Sequence, residues 1–422
     1  MSKKNAFYAQ SGGVTAVINA TACGLIETAR YYKTKIGKVY AGCNGIIGAL
    51  TEDLIDTSKE TAKTIARLRY TPGGAFGSCR YKLKSIEENR AEYERLLEVF
   101  AAHDIAYFFY NGGGDSQDTA YKVSLLSKTV GYPLVCIGIP KTVDNDLPLT
   151  DNSPGFGSVA KYIAISTREA GLDVASMYAT STKVFIMEVM GRHTGWIAAA
   201  SGLASEKKGE PPHIILFPEI AFNEDRFLNQ VNKTVSRYGY CVIVLAEGVR
   251  DSKNEFLVES NTTDAFGHKQ LGGAAPAIAQ LIKSKLGYKY HWALPDYLQR
   301  SARHIASAVD VKQAYALGKA AIELAMKGKT GVMPIIVRKS GKRYQWTVGE
   351  AKLADVANRE KKLPRSFITL DGFHITQRCR DYLLPLIQGE DYPLYQKGLP
   401  NYIHLKQHKV KKKLSKYFLK LK

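Results

Sequence analysis

The sequence predicts an α/β protein: two lobes with mainly parallel, doubly wound sheets, an active-site cleft between them and a C-terminal extension. Three observations predict this. Through roughly the first 250 residues, short apolar runs alternate with longer stretches of helical periodicity, as expected when helices cover both faces of a parallel sheet. A chain of 422 residues is long for one hydrophobic core, which favours two lobes and an appendage. The apolar runs also end in polar or glycine-rich residues, and in open α/β sheets ligands gather beyond the carboxyl ends of the strands.

The elements follow in order. AFYAQ (6–10) reads as a strand that leaves through SGG, and VTAVINATACGLIETARYY (14–32) carries the 3.6-residue rhythm of a helix. After the flexible TPGGAFG comes GSCRYK (77–82). IAYFFY (105–110) is a buried strand leaving through NGGGDS (111–116), followed by the helical QDTAYKVSLLSKTV (117–130). PLVCIGIP (133–140) ends at KTVDND, and KVFIMEVMG (183–191) runs into RHTGW. HIILFP (213–218) and YCVIVLAEG (240–248) are two further buried strands. Beyond about residue 330 no motif stands out. There KKLPRSF (361–367) and later proline-containing segments predict an irregular extension packed on the main body.

Composition narrows the class. Hydrophobic residues make up 45% and charged residues 23%, ordinary values for a soluble globular protein. No apolar run approaches the roughly 20 residues of a membrane span, and MSKKNAFYAQSGG lacks the apolar core of a secretory signal. The six cysteines are dispersed, without a CxxC pair, which predicts reduced thiols and a cytoplasmic protein. Fifty-nine Lys and Arg against 39 Asp and Glu give a formal charge of +20, suited to an anionic partner. Part of that charge sits in HKVKKKLSKYFLKLK (408–422), with seven lysines and no acid, and is expected to form a solvated or frayed tail.

Each strand exit offers its own chemistry. SGG (11–13) and NGGG (111–114) can point backbone N–H groups at an anion, aided by the positive end of the next helix. Neither fits the dinucleotide or P-loop pattern. In PKTVDND (140–146), Asp144 could take a proton from a hydroxyl, Asp146 could contact a cation, and Lys141 could neutralise a transferring phosphoryl group. A solvated turn with local side-chain bonds is the structural alternative. MGRHTGW (190–196) offers Arg192 as a bidentate ligand, whereas His193 reads as a helix cap. Glu247 in AEGVR suits neutral hydroxyls, or equally well nearby backbone donors. Arg80, and the group Tyr297, Arg300 and Arg303, are ambiguous alone.

Taken together, SGG, GSCR, GGGDS, PKTVDND, MGR, AEG and YLQR, in this order and spacing over roughly residues 5–310, resemble the 6-phosphofructokinase family. The likeness is strongest to its pyrophosphate-dependent branch. The resemblance implies phosphoryl transfer to the 1-hydroxyl of fructose 6-phosphate, giving fructose 1,6-bisphosphate. It implies a donor lobe at 1–145, a sugar-phosphate lobe at 146–310 whose chain crosses back near its end, and C-terminal helices with a basic extension at 311–422. Gly12 and Gly13, Arg80, and Gly113, Gly114, Asp115 and Ser116 would bind the donor. Asp144 would be the general base and Lys141 its cationic neighbour. Thr142, Val143, Met190, Gly191 and Arg192 would surround the sugar phosphate. Glu247 would hold sugar hydroxyls, and the stretch Tyr297, Leu298, Gln299 and Arg300 would grip the 6-phosphate. Lys183 falls where relatives place an arginine reaching a neighbouring subunit's sugar phosphate, which implies a homo-oligomer.

The glycine trio then gains a reading. ATP-dependent relatives carry GGDGS where this chain carries GGGDS. Asp115 fills the place of the small residue that leaves room for a nucleotide's α-phosphate. At ~4 Å and an effective dielectric of ~20 the like charges repel by about 4 kcal/mol. Lys141 stands where ATP-dependent members usually carry glycine, and it adds a fixed cation for a donor that lacks a nucleoside. Gly114 stands where many members have a magnesium-contacting aspartate. Mg²⁺ is still expected, with Asp115 and Asp146 as its carboxylates. His291 lies near where relatives carry a basic residue for the 6-phosphate. The competing expectations are an ATP-dependent kinase of the same sugar, a regulatory member without activity, and a basic nucleic-acid-binding module. The last lacks a helix-turn-helix, zinc or RRM signature. Nucleic acid and membrane are therefore not expected partners.

Overall fold

The computed structural model describes residues 3–258, 271–341 and 343–419. The chain divides into two compact units: residues 1–155, 308–360 and 390–422 in unit 1, and residues 156–307 and 361–389 in unit 2. The expected boundaries at 145 and 310 run consecutively, whereas the units interleave. Most of the stretch expected as an appendage completes unit 1.

Unit 1 is built on an eight-stranded sheet. Three strands carry its loops of interest: β1 (Lys4–Ser11), β2 (Ile105–Gly112) and β3 (Val135–Pro140). They pair in parallel, β2 between the other two. Val332–Arg338 adds in parallel beside β3, and Trp346–Lys352 closes that edge antiparallel. On the other side Ile36–Gly42 is parallel to β1 and Leu54–Asp56 is antiparallel. The sheet is buried on both faces because its strands alternate. Phe7, Ala9, Phe108, Tyr110 and Cys136 enter one core, and Ala6, Tyr8, Phe109, Ile137 and Ile139 enter the other. Phe7 and Phe108 stack with ring centres 5.9 Å apart, and the helix Arg90–Ala102 covers them through Leu96 and Phe100.

Unit 2 holds an all-parallel four-stranded sheet ordered Tyr290–Ala293, Val184–Val189, Cys241–Ala246, Ile214–Leu216. We label the first three in chain order β4 (Val184–Val189), β5 (Cys241–Ala246) and β6 (Tyr290–Ala293). β5 is wholly buried, as its continuous apolar run requires.

The basic C-terminal segment is docked on unit 1 rather than frayed. Val410 N–H donates to Leu54 O at 2.9 Å, and Asp56 N–H donates to His408 O at 2.8 Å. The Glu52 carboxylate, 1% exposed, accepts the backbone N–H groups of Lys413 at 2.5 Å and Leu414 at 3.1 Å and contacts His103 Nε2 at 2.7 Å. Val410, Leu414, Tyr417 and Leu419 pack against the core, while Lys411, Lys412, Lys413 and Lys416 remain exposed. Apolar residues spaced between the lysines overcome the fraying that charge alone suggests. Residues 420–422 of this segment lie outside the described residues. Among the described residues no helix is long and apolar enough to cross a membrane.

Candidate functional site

Strand register gathers the loops of unit 1. Gln10 pairs with Asn111 and Ser11 with Cys79, while Gly112 pairs with Pro140. SGG, GGGDS, KTVDND and the chain after Cys79 therefore leave the sheet at one edge. Gly12 has φ +73°, a left-handed backbone suited to glycine. Its N–H donates to Cys79 O at 2.9 Å, and Ser78 Oγ donates to its carbonyl at 2.7 Å.

The glycine trio is shorter as a loop than the sequence suggests. β2 runs through Gly112, Gly113 caps the next helix, and α1 (Gly114–Thr129) already contains Asp115 and Ser116 in its first turn. A side chain at Gly114 would meet no atom within 4 Å, so the space before this turn is open. Ser116 Oγ donates to Ser11 Oγ at 2.8 Å, tying the two glycine loops together. Lys141 is 3% exposed, and its Nζ donates to Gly13 O at 2.6 Å. The ammonium thus lies beneath the SGG loop, 3.5 Å from where a Cβ on Gly12 would stand.

The KTVDND loop combines both sequence readings. Thr142 Oγ1 accepts the Asp144 N–H at 3.1 Å, the local bond of a structural turn. Val143 is buried and Asp144 and Asp146 are half-buried. Asn145 adopts φ +53° and accepts the Ser153 N–H at 3.1 Å, fixing the loop that carries both acids. Arg80 is exposed directly after Cys79. Lys82, which no motif singled out, contacts Asp115 Oδ1 at 2.5 Å.

In unit 2, Val189 pairs with Ala246, so MGR and EG leave adjacent strands side by side. Gly191 N–H donates to Glu247 Oε1 at 3.3 Å, and Gly248 N–H donates to Gly191 O at 3.1 Å. A Cβ on Gly248 would fall 1.9 Å from Arg192 O, so the loops touch backbone to backbone. Burial raises the Glu247 carboxyl above its usual range, opposed by the Gly191 N–H and by Arg192. Beyond β6, α2 (Tyr297–Ser301) brings a buried Gln299, whose Oε1 accepts the Met190 N–H at 3.2 Å. Tyr297 and Leu298 are exposed, and the Arg300 guanidinium lies 3.9 Å from the Tyr297 ring centre. Met190, Gly191, Arg192, Glu247 and the Tyr297–Arg300 stretch are thus one cluster.

Lys183 is not in that cluster. It precedes β4 at the end opposite Met190, roughly 20 Å away at about 3.3 Å per residue, and its Nζ donates to Tyr178 O at 2.6 Å. The N-cap position of the helix Trp196–Ser201 is Gly195, two residues after His193. Arg303 is fully buried in the interior. Sequence reasoning missed Glu188, whose carboxylate accepts the N–H groups of Gly273 at 3.2 Å and Ala275 at 2.8 Å. Its signal was a lone acid inside the apolar KVFIMEV. His291 is exposed on β6, paired in register with Phe185.

Among the described residues no group of three His, Cys, Asp or Glu side chains is arranged to hold a metal. Asp146, half-buried on its loop, and Asp115, in the first turn of α1, are carboxylates of the kind Mg²⁺ takes one or two of, beside waters and substrate phosphates. Chemically, unit 1 offers backbone N–H groups, a helix N-terminus and cations for a polyanion, and unit 2 offers a carboxylate and a guanidinium for a polar ligand.

A family model described as phosphofructokinase matches residues 5–325. The chain belongs to the phosphofructokinase family. It is 64% identical to the pyrophosphate–fructose 6-phosphate 1-phosphotransferase of Halomonas elongata over 419 residues, covering 99% of this chain and 100% of the relative. It is also 64% identical to the protein of that description from Methylococcus capsulatus over 418 residues, again covering 99% and 100%. Among solved structures, the pyrophosphate-dependent phosphofructokinase of Marinobacter aquaeolei superposes with a TM-score of 0.91 at 62% identity, covering 99% of this chain and all of that one. The mainly parallel sheets of both units are those of this family's fold.

Proposed function

We propose that the chain transfers a phosphoryl group from pyrophosphate to the 1-hydroxyl of fructose 6-phosphate, reversibly and with Mg²⁺, giving fructose 1,6-bisphosphate and phosphate. The observation that carries the choice of donor is the first turn of α1. Asp115 stands there in place of a small residue, and the Lys141 ammonium lies beneath the neighbouring glycine loop. The acid fills the room an α-phosphate would need, and the lysine supplies fixed charge to a donor without a nucleoside. The names of the relatives at 64% identity agree with this reading.

In this function Gly12, its N–H held by Cys79 O, shapes the loop, and the N–H groups of Gly13, Gly113 and Gly114, with Ser116 and Arg80, hold the diphosphate. Positioning and charge stabilisation are most of what phosphoryl transfer requires. Asp144 accepts the proton of the sugar 1-hydroxyl, and Lys141 stabilises charge on the phosphoryl group in flight. Thr142, Val143, Met190, Gly191 and Arg192 orient the sugar phosphate. Glu247 accepts from its hydroxyls, and Tyr297, Leu298, Gln299 and Arg300 border the 6-phosphate. Mg²⁺, when bound, would supply charge neutralisation to the transferring phosphate. Asp146 and Asp115 are its proposed carboxylates. A homo-oligomer, in which Lys183 serves a neighbouring subunit, and a cytoplasmic place in glycolysis complete the proposal. The six free thiols support a reducing compartment.

The test is a side-by-side initial-rate assay with fructose 6-phosphate, Mg²⁺ and either donor. The expected result is turnover with pyrophosphate at a kcat/KM at least 100-fold above that with ATP. Comparable efficiency with ATP refutes the donor assignment.

A further inference from the structure

The segment after Cys79 has a two-residue rhythm. Leu83 is fully buried, and Tyr81 is half-buried with its hydroxyl donating to Glu92 Oε1 at 2.5 Å. Tyr93 Oη donates to Lys84 O at 2.7 Å, holding the backbone. With Tyr81 and Leu83 turned inward, Arg80, Lys82 and Lys84 are left exposed. Register carries this row of cations to the donor loops, because Cys79 pairs with Ser11. Lys82 Nζ lies 2.5 Å from Asp115 Oδ1, with side-chain exposures of 41% and 34%.

That contact bears on a difficulty in the proposed chemistry. An acid that repels a nucleotide's α-phosphate also repels the diphosphate beside it, and this repulsion is set against the charge that Lys141, Arg80 and Mg²⁺ would offer the donor. We propose that Lys82 is a donor-specificity residue, acting through Asp115. Its ammonium neutralises the carboxylate, so Asp115 keeps the bulk that excludes a nucleoside tail while pyrophosphate meets a pair without net charge. The inference rests on the pyrophosphate reading above. Both partners are partly exposed, so solvent screens the pair and its effect is one of affinity, of moderate size.

The test is steady-state kinetics of the full chain with pyrophosphate and fructose 6-phosphate. Native protein is compared with Lys82→Met, Lys82→Arg, Asp115→Asn and the Lys82→Met/Asp115→Asn double variant. Lys82→Met is expected to raise KM for pyrophosphate roughly 5- to 10-fold, with a smaller fall in kcat and no change in KM for the sugar. Lys82→Arg restores most of the loss. In the Asp115→Asn background the same methionine changes KM by less than about twofold, since the charge it answers is gone. A fold defect would move neither the split between KM and kcat nor the arginine rescue, and thermal melts of every variant check folding. Should Lys82→Met fail to fold, Lys82→Gln carries the same comparison. An unchanged KM in Lys82→Met overturns the proposal, and so does a rise of equal size in both backgrounds, which would make Lys82 a direct donor contact. If the native chain turns over ATP but not pyrophosphate, the proposed function itself falls; turnover of pyrophosphate with an indifferent Lys82 removes only this role.

Discussion

Replacing Lys141 by methionine separates chemistry from scaffold. The side chain is 3% exposed and its Nζ is 2.6 Å from Gly13 O. A phosphoryl group held by the SGG loop would lie about 4 Å from the ammonium, where opposite unit charges at an effective dielectric of ~20 attract by about 4 kcal/mol. With little solvent to screen it, most of that is lost with the charge. At 1.36 kcal/mol per decade this predicts a fall of about 10³ in kcat/KM for pyrophosphate. The structural cost includes the Gly13 carbonyl losing a donor, about 1–2 kcal/mol. The assay pairs initial rates at varied pyrophosphate with urea unfolding of the same preparations. A fall in kcat/KM below tenfold would refute the reasoning. A loss of activity no larger than the loss of stability would also do so, since Lys141 would then be a loop brace only.

Three further outcomes follow from groups already described. The Glu247 carboxyl titrates above its usual 4.5, so as pH falls through that raised value the sugar loses a charged acceptor. The kcat/KM for fructose 6-phosphate should fall about tenfold per unit on this limb, and Glu247→Gln should abolish the limb; a wild-type limb in that variant assigns it elsewhere. His213 is held neutral, its Nδ1 accepting the Val242 N–H at 3.0 Å and its Nε2 on Gly209 O at 3.1 Å, and burial lowers its pKa from 6.5 to about 4. The unfolded chain takes up the proton first, so about 3 kcal/mol of stability present above pH 6.5 drains away as pH falls towards 4; urea midpoints across that range should be flatter in His213→Phe. Glu52→Ala strands two backbone donors and an imidazole, costing about 3 kcal/mol and exposing 408–419 to limited proteolysis; a shift under about 1 kcal/mol would show that the segment is held by its apolar residues instead.

The strand exits were readable because each combines two local signals, an apolar run and the residues that end it. Their convergence follows from parallel pairing, which aligns Ser11, Gly112 and Pro140 without any long-range information in the motifs. What local pattern could not supply is partnership over distance. Val332–Arg338 joins β3 across nearly two hundred intervening residues, so the C-terminal third read as an appendage. Glu52 pairs with backbone N–H groups more than 350 residues away, and nothing in ALTEDL announces it. Lys82 escaped notice because a lysine in RYKLK is indistinguishable from a solvated one until Tyr81 and Leu83 are seen to turn inward. Lys183 precedes β4 at the end away from the cluster, a place that only a partner across a subunit boundary could use, which no motif within one chain reveals.

The interleaving of the two units sets an order of events during translation. When residue 155 leaves the ribosome, β3 has a bare flank, because Val332–Arg338 and Trp346–Lys352 have yet to be made. At 5–20 residues per second that flank waits on the order of ten seconds or more, and an unpaired strand side is where nascent chains misassociate. Unit 2, by contrast, has its whole parallel sheet in hand by residue 293. The second unit to begin can therefore be the first to finish, and the nascent unit 1 is the one a chaperone would need to shield.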